Sequence, residues 1–384
     1  MRQVERAIFD LRRGLTVLID APEGRILVAP LEGLDDDVLA RLRDDAQGAP
    51  RLVVSQHRLA RLGLTVDTPA ARLPLDDRDS AETVVEWACA RTPRDTLPDR
   101  GPIATEAPDD AALTLMRRGL LIPAAVTAEV APERAREITA RVASGELLAI
   151  DTAAVAAYEA GAPRFLRRIS AADVPLAESE RTRFVLFREA DGLREHVALV
   201  IGDPADWSEA VPVRLHSACL TGDLFGSLRC DCGEQLRTSV ARISECGGGV
   251  LLYLAQEGRG IGLANKLRAY SLQDEGLDTM DADQVLGFGD DEREYNVALE
   301  MLAQLEIRRI ELLTNNPTKI QAMSQGGVTV VQRSGIYGRL TVQNRRYLTA
   351  KAVRGGHWLE HVLGPATQEE DATPAERPHP APPR

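Results

Sequence analysis

Apolar residues recur along this chain with two alternating periods. Val4, Ala7, Ile8 and Leu11 stand at helical spacing within residues 2–13, and Gly14 occupies an expected C-cap position. Leu15-Thr-Val-Leu-Ile19 then predicts a buried strand, and the turn Asp20-Ala-Pro-Glu-Gly24 leads to a second, Arg25-Ile-Leu-Val28. Leu52-Val-Val-Ser55 continues as strand and Thr83 to Ala90 as helix. Pro, Asp and Thr crowd residues 92–110 into an expected loop. A helix from about Asp109 to Arg118 leads to the strand-like Leu121-Ile-Pro-Ala-Ala-Val126. The alternation predicts an α/β domain closing near Gly161.

Residues 163–182 are polar and read as a joint. Phe184-Val-Leu-Phe187 and His196-Val-Ala-Leu-Val-Ile201 then predict a hairpin turning near Asp191-Gly192, with His196 among apolar neighbours and therefore structural. Glu234 to Cys246 predicts a helix stopped by Gly247-Gly-Gly249, and Gly249 to Leu254 a buried strand. Asn265 to Glu275 and Asn296 to Leu305 predict helices. Arg309-Ile-Glu-Leu-Leu-Thr314 predicts a strand delivering Asn315-Asn316-Pro317 to the end where open α/β sheets place their ligands. The predicted fold class is α/β, with two α/β domains over residues 1–161 and 165–364. Residues 365–384, rich in Pro, Glu, Ala and Thr, predict a disordered tail.

Composition narrows the partners. A chain of 384 residues with 44% hydrophobic residues is long enough for two cores, and a net charge of −12 argues against nucleic acid or an anionic membrane. The chain lacks a membrane-length apolar run and an apolar signal core at its start, so a cytoplasmic location is expected. Five cysteines, three of them clustered, suit a reduced protein with a metal site better than a disulfide framework. Cys89 and Cys246 are expected to be buried small hydrophobes.

The clustered thiols Cys219, Cys230 and Cys232 form C-x10-C-x-C in one segment. Catalytic zinc keeps three protein ligands and leaves one position for water, whereas structural zinc closes all four. Three soft ligands therefore suggest hydrolytic zinc chemistry, one ion per chain, with a structural clip completed by His216 as the alternative.

Downstream lie Gln256-Glu-Gly-Arg-Gly-Ile-Gly262, Asn265-Lys-Leu-Arg-Ala-Tyr270, Leu286-Gly-Phe-Gly-Asp-Asp-Glu-Arg293 and Leu313-Thr-Asn-Asn-Pro-Thr-Lys319. Together with the cysteines, this ordered set resembles GTP cyclohydrolase II of riboflavin biosynthesis, from about residue 165 to 364. The resemblance implies hydrolysis of GTP to 2,5-diamino-6-(5-phosphoribosylamino)pyrimidin-4-one, formate and pyrophosphate. It implies zinc on Cys219, Cys230 and Cys232, Mg²⁺ accompanying the triphosphate, and a homodimer. Arg214, Gln235, Glu257, Arg259, Thr279, Thr314 and Lys319 match the family's nucleotide-binding positions. Glu257 is of a type to read the guanine N1–H and amino group, and Gly258, Gly260 and Gly262 to admit close approach of a ligand.

Asp291 and Arg293 match the family's proton acceptor and its nucleophile at the α-phosphorus. A guanidinium is normally protonated, so Arg293 as a phosphate clamp is the competing role. Tyr270 matches the tyrosine near C8, where its phenol would position the second attacking water; a plain core aromatic is the alternative. The family's usual Glu before the first zinc cysteine is replaced by Ala218.

The N-terminal half resembles 3,4-dihydroxy-2-butanone 4-phosphate synthase, with departures where the chemistry belongs. Only Asp20 and Glu23 stand in the loop that is acidic and Mg²⁺-binding in that family. Ala107-Pro-Asp-Asp110 replaces its Gly-His-Thr-Glu. Without those ligands a Mg²⁺ cage cannot form, and an inactive scaffold is expected. Two further readings remain for the chain as a whole. One is a zinc hydrolase acting on another nucleotide or stopping at the formylated pyrimidine. The other is a non-catalytic zinc and nucleotide sensor.

Overall fold

The computed structural model describes residues 2–95, 97, 101–161 and 166–364. The strands are β1 Val17–Ala21, β2 Gly24–Pro30, β3 Arg51–Ser55, β4 Ala70–Pro74, β5 Ile103–Ala104, β6 Ala124–Glu129 and β7 Leu148–Asp151. They form one seven-stranded sheet in the order β5-β4-β3-β6-β2-β1-β7. Strands β8 Arg167–Asp173, β9 Thr182–Arg188, β10 Glu195–Ile201, β11 Val211–Ser217, β12 Gly249–Leu254, β13 Arg309–Leu313 and β14 Thr329–Ser334 form a second. Its order is β14-β13-β11-β12-β10-β9-β8. Helices pack on both sheets, so each half is α/β.

The amphipathic helix Arg2–Arg12 buries Val4, Ala7, Ile8 and Leu11, and Gly14 follows it at φ +80°. The first-sheet core gathers Leu18, Leu52, Val54, Leu73, Val84 and Trp87, with Arg58 buried at its margin. The hairpin β9–β10 forms as expected, in register from Glu195 opposite Arg188 to Ile201 opposite Thr182. His196 is buried and its Nε2 meets Glu189 Oε1 at 3.2 Å.

Four expectations differ from the structure. The segment read as loop holds β5 and the start of helix Ala107–Arg118, because Glu106 and Asp109 form a capping box and Pro108 suits the first turn. The segment read as a joint holds β8, paired with β9; its side chains are almost all exposed, so no apolar alternation announced it. The strand placed at Leu121 begins at Ala124, after Leu120 turns the chain at φ +58°. Cys246 is exposed rather than buried, at the end of helix Cys232–Glu245. The expected tail lies outside the described residues.

β11 pairs in parallel with β12 on one side and β13 on the other, so successive crossovers leave on opposite sides of β11. Their carboxyl ends open a crevice there. The first half closes on the loops around it. Ser55 Oγ donates to Gly287 O at 2.6 Å, Asn265 Nδ2 to Leu120 O at 3.0 Å, and Arg268 Nη1 to Glu32 Oε1 at 2.9 Å.

Candidate active site

Strand β11 ends at Ser217 and delivers Cys219; a short helix and turn bring back Cys230, and Cys232 opens helix Cys232–Glu245. The three Sγ atoms lie within 4.8 Å of one another, with Cys219 and Cys230 3.7 Å apart. Zinc–sulfur bonds of about 2.3 Å arranged tetrahedrally separate sulfurs by about 3.8 Å, so the spacing fits. Gly222 makes room for the thiols: a Cβ there would stand 2.7 Å from Cys230 Sγ. Among the described residues no further His, Cys, Asp or Glu joins the group. His216 is turned away from it, its Nε2 3.1 Å from Asp223 Oδ1 and its ring stacked on Tyr253. The closed clip through His216 therefore finds no support.

Asp223 in turn accepts the backbone N–H of Cys219 at 2.9 Å, which fixes the first thiol. Lys266 Nζ lies 3.1 Å from Cys219 Sγ, 2.9 Å from Thr221 Oγ1 and 2.7 Å from Glu257 Oε1. Hydrogen bonds from Cys230 and Cys232, with Lys266 behind them, hold the Cys219 thiol far below its usual range and push its two neighbours up. The donor set and its spacing suit a zinc ion.

The thiols form one end of a cavity of about 320 Å³. Arg214, Gln235, Glu257, Arg259, Thr279, Thr314 and Lys319 all line it, as do Tyr270, Asp291 and Arg293. Part of the wall is basic. Arg214 is buried on β11, donating to Leu313 O at 2.9 Å and Gln235 Oε1 at 2.7 Å, while its Nε has no partner among the described residues. Burial pushes its pKa down to about 10. Lys319, from helix Pro317–Gln325, donates to Leu215 O at 2.8 Å; burial, then Arg214, Arg293 and Lys351, drives it well below the usual lysine range. Cations thus repel one another across a cavity in a chain of net charge −12, an arrangement that a polyanion would relieve. Thr314 accepts from the N–H of Asn316 at 3.0 Å, shaping the loop beneath Lys319.

Asp291 and Arg293 form a two-point ion pair, with Nε to Oδ1 at 2.7 Å and Nη2 to Oδ2 as the second contact. Burial alone would discharge both, but the pair wins: Asp291 lies below the usual carboxylate range and Arg293 above the usual guanidinium range, aided by Tyr295. The Tyr295 ring stands about equally far from Arg293 and Lys319, at 6.0 and 5.9 Å. Tyr270 stands near the thiols. Its ring is 4.7 Å from the Arg229 guanidinium and 5.7 Å from Lys266 Nζ, and burial holds its phenol above the ordinary value.

Two placements differ from expectation in detail. Both Glu257 oxygens are engaged, Oε1 by Lys266 and Oε2 by Leu220 N at 2.6 Å. The glycines admit protein rather than ligand: a Cβ on Gly260 would stand 2.7 Å from Glu292 O, and one on Gly262 3.1 Å from Leu120 Cβ. Arg259 beside them takes φ +59° and donates to Asp290 O at 3.0 Å.

Sequence reasoning passed over several residues of the cavity. Lys266 lies inside the quoted Asn265-to-Tyr270 motif. Asp283 is 3% exposed on helix Thr279–Val285, and burial, only partly offset by Arg259, raises it to about 7. Tyr347 and Lys351, in the run Tyr347-Leu-Thr-Ala-Lys-Ala352 that resembles the family's closing segment but was given no role, come from helix Arg345–Val353, with Lys351 Nζ 4.1 Å from the Tyr347 ring centre. Their i, i+4 spacing was the available signal. Asp109, in the first half, accepts from Thr127 Oγ1 and faces Arg72 Nε at 3.6 Å; it serves as a cap and ion-pair partner.

The family model described as GTP cyclohydrolase II matches residues 167–335. A curated GTP cyclohydrolase-2 of Azospirillum brasilense is 41% identical over 366 residues, covering 93% of this chain and 94% of the relative. One from Xylella fastidiosa (strain Temecula1) is 42% identical over 378 residues, covering 97% and 91%. Among solved structures, a two-domain 3,4-dihydroxy-2-butanone 4-phosphate synthase from A. baumannii aligns over 87% of this chain and 99% of its own. Its TM-score is 0.36 and its identity 19%, a likeness too loose to bear on function.

Proposed function

The chain belongs to the GTP cyclohydrolase II family, and from that premise we propose that the cavity lined by the three thiols is where GTP is opened. The reaction is hydrolysis of GTP to the diaminopyrimidinone phosphate, formate and pyrophosphate, within riboflavin biosynthesis. One observation carries the assignment of residues: a single cavity is lined both by a three-thiol group and by mutually repelling cations. GTP has its C8 and its triphosphate at opposite ends, so the two halves of the reaction meet different walls.

A zinc ion held by Cys219, Cys230 and Cys232 would supply a water ionised near neutral pH for attack at C8. The residues around it set the geometry. Asp223 and Gly222 fix the thiols, and Lys266 offsets their charge. Tyr270, kept protonated by burial, donates a hydrogen bond that orients the water for formate release. Arg214, Lys319 and Arg293 bind the phosphates, whose negative charge offsets the burial and the repulsion that lower Lys319. The doubly bonded, charged state of Arg293 and Asp291 favours a clamp: Arg293 stabilises charge developing at the α-phosphorus and Asp291 holds it in place. Mg²⁺ enters with the triphosphate, since such ions are usually held by one or two carboxylates plus phosphates.

Residues 165–364 carry this activity, and residues 1–161 form a domain without synthase chemistry of its own. Asp109 is committed to Arg72 and Thr127. No helix among the described residues is long and apolar enough to cross a membrane, which accords with a cytoplasmic enzyme. A homodimer would cover Leu224, Phe225 and Leu228, which are 69%, 74% and 62% exposed. Incubation of the pure protein with GTP, Mg²⁺ and zinc, with formate and pyrophosphate measured separately, tests the whole reading. Absence of both products refutes it, and pyrophosphate without formate favours the partial reaction.

A further inference from the structure

Between Asp291 and Arg293 stands Glu292, which lines a different cavity, of about 230 Å³, behind the loop and between the two halves of the molecule. Its Oε1 accepts from Arg117 Nη1 at 2.6 Å and from Gly289 N at 2.7 Å. Its backbone N–H donates to Arg259 O at 3.1 Å. Arg117 belongs to helix Ala107–Arg118 of the first half. Further along the same loop, Ser55 Oγ holds Gly287 O at 2.6 Å and Arg58 Nη1 reaches Val285 O at 3.2 Å. Gly287 is confined as well: a Cβ there would stand 3.2 Å from both Pro123 Cγ and Ser55 Oγ. Residues 285–293 are thus clasped on one side by the first half while Asp291 and Arg293 line the GTP cavity on the other.

We propose that Arg117, with Ser55 in support, is a positioning residue for the cyclohydrolase reaction. The N-terminal half sets the pose of the Asp291–Arg293 pair through Glu292. The proposal rests on the reading of that pair as the phosphate-end machinery. Adjacent residues of one short loop share its backbone, so rotation of Glu292 away from Arg117 displaces both neighbours. A misplacement of about 1 Å at a reacting group is worth about 10²-fold in rate. The role concerns geometry and not substrate binding, because neither Arg117 nor Ser55 lines the GTP cavity.

The test uses the full chain. In Arg117→Met and in Glu292→Gln, kcat for pyrophosphate release should fall about 10- to 10²-fold, with KM changed less than about threefold and zinc content unchanged. The double variant should be no worse than either single one, since both break the same contact. Arg117→Lys, which keeps a cation, should recover part of the loss. Arg118→Met is the control. Arg118 lines the same small cavity but pairs with Asp191 at 3.0 Å rather than with Glu292, so its loss should lower Tm and leave kcat as it is. Wild-type kcat in Arg117→Met and Glu292→Gln overturns the proposal, and so does a loss that merely follows Tm across all variants, Arg118→Met included. Should Arg117→Met fail to fold, Ser55→Ala removes a single hydroxyl and is read by the same criterion. Arg293→Ala is assayed alongside: undiminished pyrophosphate release there refutes the underlying reading of the pair, whatever Arg117 does.

Discussion

Arg293→Ala and Tyr270→Phe should damage different bonds of the same substrate. Arg293 contacts Asp291, and the Tyr295 ring links it to Lys319. Tyr270 lies against Lys266, whose ammonium touches Cys219 Sγ. The two side chains thus have different neighbours, Asp291 and Tyr295 for Arg293 and Lys266 beside the Cys219 thiol for Tyr270. Loss of one preorganised donor to a developing charge costs about 10²–10³ in rate, or ~2.7–4 kcal/mol. Arg293→Ala should therefore lower pyrophosphate release by about that factor with zinc retained. Its effect on KM should be smaller, because removal of one cation relieves the repulsion that depresses Lys319. Tyr270→Phe keeps the ring packed against Arg229 and loses only the hydroxyl. It should release pyrophosphate at near the wild-type rate while formate falls about 10²-fold, so GMP or a formylated pyrimidine accumulates. Mass spectrometry of the products, with enzymatic formate and pyrophosphate assays and elemental zinc analysis, resolves the two defects. Equal loss of both products in both variants, at constant zinc, would falsify the division of the cavity into two ends.

Other expectations follow from neighbouring observations. The protein should purify with about one zinc per chain, and joint replacement of Cys230 and Cys232 by Ser should abolish it; unchanged elemental zinc refutes the three-thiol assignment. Burial raises Asp283 to about 7, so the stability that its protonated form allows is fully present below the ordinary carboxylate value and is lost as pH rises toward 7. Asp283→Asn should accordingly raise Tm at pH 8 by several degrees and leave it nearly unchanged near pH 4; equal shifts at both pH values contradict the burial argument. Ribulose 5-phosphate with Mg²⁺ should yield no dihydroxybutanone phosphate, because Asp109 is occupied by Arg72 and Thr127; product above background shows that the first half retains synthase chemistry.

Much of the second half was legible because its signals are local. The cysteine spacing, the buried run into β12 and the Asn-Asn-Pro after β13 each lie within a few residues, and chain direction alone sends them to the carboxyl ends of the parallel strands β11, β12 and β13. The same locality explains what was misread. β8 is paired by backbone hydrogen bonds while its side chains stay in solvent, so it left no trace in the apolar pattern. Cys246 looked like a core residue by type, yet its place past the last turn of a helix exposes it. Glycine spacing suggested ligand approach at Gly260, where the space is filled by the Glu292 carbonyl.

By itself the sequence determined which atoms are available for the reaction: three thiols, a tyrosine, an Asp-Glu-Arg loop and scattered cations. Only the tertiary structure decided how they are charged and held. Arg214, Lys319 and Lys351 are far apart in the chain and become one repelling cluster when β11, helix Pro317–Gln325 and helix Arg345–Val353 close on a single cavity. Lys266 becomes a partner of Cys219 through the turn after β12. Arg117 reaches Glu292 across 175 residues of chain, from the other half of the molecule. Residue type and short spacing can be read along a chain, whereas desolvation and Coulomb interaction depend on distances that exist only after the chain has packed.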